Sequence, residues 1–345
     1  MIDRRAFIGT LAGGLLAAPL AAAETPGPPP GDRVLIVDTH VHPLRSLHRG
    51  RSAISASELL RLMNTFSVER MVLLPPPFPE GHPGTYGARE IKGIVRDGHG
   101  RLAMVAGGES LNPVIQATPP DNVSARVMRE FRQEAEAIAK GGAVGFGEIA
   151  LEHFSSGRGR HPYESTRPDH PLLLLLADIA ADHGMIIDVH MEAVPEDMPM
   201  PRPGRGDNPT ELHANIPAFE RLLDHNREAK IVWAHAGWDL TGERRVPLMR
   251  SLLDRHPNLY MSIKIDSAGF LGTKPMGEGV VRPGWLALLR AFPDRFVVGS
   301  DQFFGEATER LEHAREFVDA LPPDLARRVG RDNALLLYRL PAPTP

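Results

Sequence analysis

Eight short runs rich in β-branched and apolar residues recur along this chain, and a helical pattern follows each of them. The runs are 34–38, 70–74, 102–106, 143–148, 185–189, 230–234, 258–265 and 295–300. The first reads as a strand of a parallel sheet that is covered on both faces. The helical patterns fall at 58–66, 90–96, 125–140, 171–183, 217–227, 243–256, 283–292, 307–320 and 325–338. In 125–140 the residues Val127, Met128, Phe131, Ala135 and Ile138 share one face. The Leu-rich 171–183 is apolar around most of its surface, as a buried helix is. Ser55-Ala56-Ser57-Glu58 has the form of a capping box for the first helix. Strand then helix, eight times over, predicts an α/β fold, the (β/α)₈ barrel. A chain of 345 residues can build that barrel as one domain.

Composition narrows the chemistry. A net charge of -4 gives no reason to expect nucleic acid as a partner. There is no cysteine, which excludes disulfides and thiolate metal sites. With 15 histidines, any metal would take nitrogen and oxygen ligands, a set that suits zinc, manganese, iron or nickel.

Residues 1–23 read as an export signal rather than as part of the fold. Asp3-Arg4-Arg5-Ala6-Phe7-Ile8 resembles a twin-arginine motif, an apolar stretch runs from Ile8 to Leu20, and Ala21-Ala22-Ala23 offers a cleavage site. The stretch is too short and too rich in Gly and Ala for a membrane span, so no stable membrane anchor is expected. The expected partner is the twin-arginine export machinery, and the expected location is periplasmic or secreted. That route carries folded proteins, so the cytoplasm could load a metal before export. Residues 24–33 are rich in Pro and Gly and read as a flexible leader. The barrel is expected over 34–340.

The strand ends carry the candidate site. His40 and His42 follow the first strand, Glu148 ends the fourth, His190 follows the fifth, His235 the sixth and Asp301 the eighth. A (β/α)₈ barrel gathers the carboxyl ends of its strands at one mouth, where its active site lies. On an extended backbone, positions i and i+2 point to the same side, so His40 and His42 can converge on one ion. Any one of these residues is an ordinary polar strand end; the six together predict a metal centre.

This pattern resembles the amidohydrolase superfamily, in particular its amidohydrolase-related group. The resemblance extends over 34–340 and includes Ala234-His235-Ala236-Gly237, Gly299-Ser300-Asp301 and Asn333-Ala334-Leu335-Leu336-Leu337-Tyr338. It implies that His40, His42 and Asp301 hold a divalent ion, zinc first among those named. Such an ion lowers the pKa of water from 15.7 towards about 7, and Asp301 would take the proton. The hydroxide would attack a small ester, lactone, amide or phosphoester. His190 and His235 would complete a second metal site; alternatively His190 completes a single site and His235 polarises the substrate. Glu148 corresponds to the carboxylate that bridges two ions in binuclear relatives; otherwise it orients a ligand histidine. The same group implies an alternative, non-oxidative decarboxylation of an aromatic or muconate-type acid on one metal. A metal-carrying binding protein without catalysis is the third reading.

Four further residues are candidates for contact with a small-molecule substrate. Arg202 and Arg205 stand in a long Pro-rich loop that could close over an anion or simply be solvated. Trp238 could line the pocket or pack in the core. Lys264 could bind an acidic substrate group, although pairing with Asp266 is the plainer expectation. Glu192, two residues after His190, could share its face, although an exposed loop carboxylate is the plainer expectation. His82, His99, His153, His161, His170, His213, His225, His256 and His313 receive no role. Oligomeric state is open.

Overall fold

A computed structural model describes residues 33–43, 54–157, 161–201, 206–266, 269–304 and 307–341. The export signal 1–23, nearly all of the leader, His48, Arg202 and Arg205 lie outside the described residues.

Eight parallel strands close a ring: β1 (Ile36–His42), β2 (Val68–Leu73), β3 (Leu102–Gly107), β4 (Gly145–His153), β5 (Ile186–Met191), β6 (Lys230–Ala236), β7 (Leu259–Ile263) and β8 (Phe296–Val298). Each pairs in parallel with the next in sequence, and β8 returns to β1 through Val298 opposite Asp38. Helices α1 (Ala56–Thr65), α2 (Ala88–Arg96), α3 (Leu111–Ala117), α4 (Ala125–Lys140), α5 (Pro171–His183), α6 (Ile216–His225), α7 (Val246–Arg255), α8 (Pro283–Ala291) and α9 (Glu309–Asp319) connect or cover them. The expected (β/α)₈ barrel is therefore the observed fold.

Both sheet faces are dry, for different reasons. Outward side chains such as Ile36, Val41, Ile187 and Trp233 join the helices in one core. Inward ones, among them Val37, Val72, Val105, Ile186, Val232 and Val297, make a second core. Ala334, Leu337, Tyr338 and Leu340 floor that inner core from the last turns of the chain. Asn333 fixes the floor, with Nδ2 donating to Pro293 O and Phe296 O at 2.8 Å each. The amino end is thus filled with apolar groups, and polar groups collect at the carboxyl end. Among the described residues, no helix is long and apolar enough to cross a membrane.

Four local details differ from expectation. β1, β5 and β6 extend through His42, Met191 and Ala236, so His40, His42, His190 and His235 stand within strands rather than after them, and β4 runs on past Glu148 to His153. The β1–β2 register shifts between Asp38 and Val41, which turns Val37 to the inner core and Val41 to the outer. Helix α3 was not expected, because Pro113 breaks the apolar pattern; it is tolerated in the first turn, where no intrahelical N–H is needed. At α1, Ser55 Oγ accepts from Glu58 N at 3.2 Å, and the helix begins at Ala56 rather than Glu58.

Candidate metal centre

Two glycines let the strands approach where the centre forms. Gly147 has φ +146°, and a Cβ there would stand 2.8 Å from Asp188 O. At Gly299 a Cβ would stand 2.1 Å from Ser262 Oγ and 2.8 Å from His40 Cβ. Next in sequence, Ser300 closes β8 onto β1: its N and Oγ donate to Asp38 at 2.9 and 2.6 Å. Asp301 N then donates to His40 O at 2.9 Å. His235 and Asp301 both have left-handed backbone, at φ 65° and 55°. Such conformations in residues other than glycine cost about 1–3 kcal/mol and gather at functional sites.

All six expected residues meet at the mouth, each less than a tenth exposed. Glu148 lies at the middle. Its Oε2 is 3.5 Å from His40 Nε2 and 3.6 Å from His42 Nε2. Its Oε1 is 2.9 Å from His190 Nδ1 and 3.2 Å from His235 Nε2. Asp301 Oδ1 is 3.2 Å from His42 Nε2 and 4.0 Å from His40 Nε2. Among the described residues, three overlapping triads could hold a metal: His40–His42–Glu148, His40–His235–Asp301 and Glu148–His190–His235.

The donor set fits a metal. Nitrogen and oxygen ligands about 2.0–2.2 Å from a tetrahedral ion lie roughly 3.3 Å from one another, close to the spacings above. His40 Nε2 is buried, points into the cluster and has no hydrogen-bond partner, a position an ion would satisfy.

The electrostatics of the chain without an ion are those of carboxylates and imidazoles forced together. Burial pushes the Glu148 carboxyl up, but His40 and hydrogen bonds from His190 and His235 outweigh it and hold it well below the usual range. Burial acts on Asp301 in the same sense and is overcome by Lys264, Arg310 and His235, so it too stays well below. His40 is driven well above the usual imidazole value: burial lowers it, but Asp188 and Glu148 prevail. His235 is depressed, chiefly by burial.

Behind these residues stand others without an expected role. Asp188 Oδ2 lies 3.3 Å from His40 Nδ1, and Leu74 O lies 3.1 Å from His42 Nδ1; such contacts fix ring orientation. Asp188 sits two residues before His190 on β5, so the same-side rule applied to His40 and His42 would have found it. Glu192 is not the exposed loop carboxylate expected. It is 3% exposed, accepts from Leu240 N at 2.8 Å, and its Oε1 lies 3.7 Å from His190 Nε2. The loop after β6 folds back over it. His153 ends β4; its ring stacks on His161 with centres 3.5 Å apart and lies tilted by 48° against His190 with centres 4.0 Å apart. His161 in turn lines a cavity of about 170 Å³ with His82, Ser155, Gly157, Pro162, Gly206 and Asp207. Burial lowers His161 to about 4, so it is neutral there.

The substrate candidates divide. Trp238 stands edge-on to His190 and His235, with ring centres 6.2 and 5.8 Å away. Lys264 is paired, as expected, but its nearer partner is Asp301: Nζ is 2.6 Å from Asp301 Oδ2 and 4.0 Å from Asp266.

A family model for amidohydrolases matches residues 37–340. No curated protein matches the chain. Among solved structures, one described as a probable 2-pyrone-4,6-dicarboxylic acid hydrolase from Acinetobacter baumannii is 14% identical, with 88% of this chain and 99% of that chain covered and a TM-score of 0.49. An amidohydrolase 2 from Bifidobacterium longum subsp. infantis is 13% identical, with 89% and 100% covered and a TM-score of 0.48. Dihydroorotase from Campylobacter jejuni is 15% identical, with 90% and 85% covered and a TM-score of 0.48.

Proposed function

The chain belongs to the amidohydrolase family, and from that premise we propose that this enzyme, a metal-dependent hydrolase by type, is a binuclear one that cleaves a small ester, lactone, amide or phosphoester. The observation that carries the binuclear reading is Glu148, whose two oxygens face two different histidine pairs. An anionic bridge reduces the repulsion between two cations. In this reading His40, His42 and Asp301 would hold one ion and His190 and His235 the other, with Glu148 as the carboxylate shared between them. Zinc suits the donors, and manganese, iron or nickel would also be accepted.

When bound, divalent ions there polarise a carbonyl or phosphoryl oxygen and acidify water. Asp301 Oδ1, the oxygen turned to the cluster, takes the proton released as water attacks and returns it to the leaving group. Trp238 forms one wall. The small cavity beside His161 gives room for the remainder of a small substrate. Arg202 and Arg205 remain candidates for binding an anionic one. The twin-arginine motif would deliver the folded enzyme to the periplasm.

Metal analysis and a substrate panel test this together. The wild-type chain should hold two ions, and Glu148→Gln should hold fewer; unchanged stoichiometry would end the bridging assignment. The panel is p-nitrophenyl acetate, dihydrocoumarin, p-nitroacetanilide and bis-p-nitrophenyl phosphate. Turnover of at least one is expected. Inertness towards all four, with release of carbon dioxide from an aromatic or muconate-type acid, would replace hydrolysis by decarboxylation.

A further inference from the structure

Lys264 and Arg310 raise a question that the ligand set alone leaves unanswered. Two cations stand beside a carboxylate that is to hold a dication, and like charges at that range repel. Lys264 is also buried, with 1% of its surface exposed, and a buried ammonium is retained only where it is paired.

Its backbone is pinned, with Lys264 N donating to Ala236 O at 2.9 Å. The Nζ sits 3.6 Å above the centre of the Trp238 ring and donates to Asp301 Oδ2 at 2.6 Å. Arg310, in the first turn of α9, donates through Nη1 to the same Oδ2 at 2.7 Å and to the Asp301 backbone carbonyl. Asp266 ties the two cations together, 4.0 Å from Lys264 Nζ and 3.6 Å from Arg310 Nε. Asp301 Oδ1 receives neither cation and faces His42 and His40.

We infer that Lys264 and Arg310 are positioning residues that occupy Asp301 Oδ2 and so restrict this carboxylate to one-oxygen contact with the metal centre. This rests on the metal reading above. The quartet Lys264, Arg310, Asp301 and Asp266 is neutral, so it is complete without a substrate anion. A single Asp301 oxygen keeps an ion's coordination number low and leaves room for water and substrate, whereas a two-oxygen grip would fill that room.

Cobalt(II) loading of the full chain tests it, because the visible bands of cobalt weaken as coordination number rises. Cobalt uptake by the wild-type chain comes first; none at all would remove the metal reading itself, before any variant is made. Lys264→Met should then show weaker bands than wild type. Its kcat on p-nitrophenyl acetate should fall about tenfold or more with KM unchanged. Arg310→Gln should move both readouts in the same direction by less. Its side chain is 32% exposed, so this variant carries the test alone if Lys264→Met does not fold. Wild-type bands in the folded variants would overturn the inference. So would a raised KM with kcat unchanged, which would make the cations substrate contacts.

Discussion

His40 meets two carboxylates through its two nitrogens, Asp188 at 3.3 Å from Nδ1 and Glu148 at 3.5 Å from Nε2. The first contact orients the ring and the second marks where an ion would sit. Asp188→Asn keeps the shape but loses the charge, and should weaken metal binding about 10- to 100-fold, measured by competition with a chelator. Unchanged affinity would make Asp188 a bystander. Residues of this supporting kind were harder to read in the sequence than the ligands. The six candidate ligands share one signal, a metal-binding residue type at a strand end. Asp188, Glu192 and Lys264 acquire their roles from neighbours 37 to 148 residues away along the chain. Glu164 gives a pH prediction at the same scale. Burial raises its carboxyl from 4.5 to about 8, while Asn112 Nδ2 donates to its Oε1 at 3.1 Å. A carboxyl raised in the fold binds more protons there than in the unfolded chain, so stability falls as pH climbs from 4.5 to about 8. Glu164→Gln should flatten that decline, by a few kcal/mol at pH 8. Thermal melts of both proteins at pH 5 and pH 8 would check it; parallel curves would show that Glu164 ionises freely.

The strands set the geometry of the mouth by how closely they pack. β4 and β5 approach at Gly147, and β8 reaches β1 at Gly299 and Ser300. Gly147→Ala combines a left-handed-side φ with a Cβ 2.8 Å from Asp188 O. It should cost about 2 kcal/mol or more, since strain and overpacking each contribute about 1–3 kcal/mol. Denaturant unfolding measures this, and a wild-type midpoint would show that the β4–β5 junction gives way easily. Most elements were legible in advance, because a strand buried on both sides and a helix with one apolar stripe leave different periods in sequence. Their ends were less so. The sequence reading stops β4 at Glu148, yet the strand continues to His153 through Ile149, Ala150 and Leu151, all fully buried. That early stop hid the ring contact of His153 with His190.

At the scale of the molecule, the ring closure brings residues 40 and 301 into one site. The inner core supplies the floor that leaves a single polar mouth. The family match covers that same span. We propose that the arginine pair ahead of it serves delivery: Arg4→Lys with Arg5→Lys should then hold the protein in the cytoplasm with its metal content unchanged, as cell fractionation would show, and continued export would refute the twin-arginine assignment. The central claim is that one carboxylate joins two metal positions at the barrel mouth. Anomalous diffraction at the edge of the bound metal examines it directly. Two peaks are predicted, one beside His40 and His42 and one beside His190 and His235, with Glu148 between them. A single peak, or two peaks with Glu148 touching neither, would contradict it.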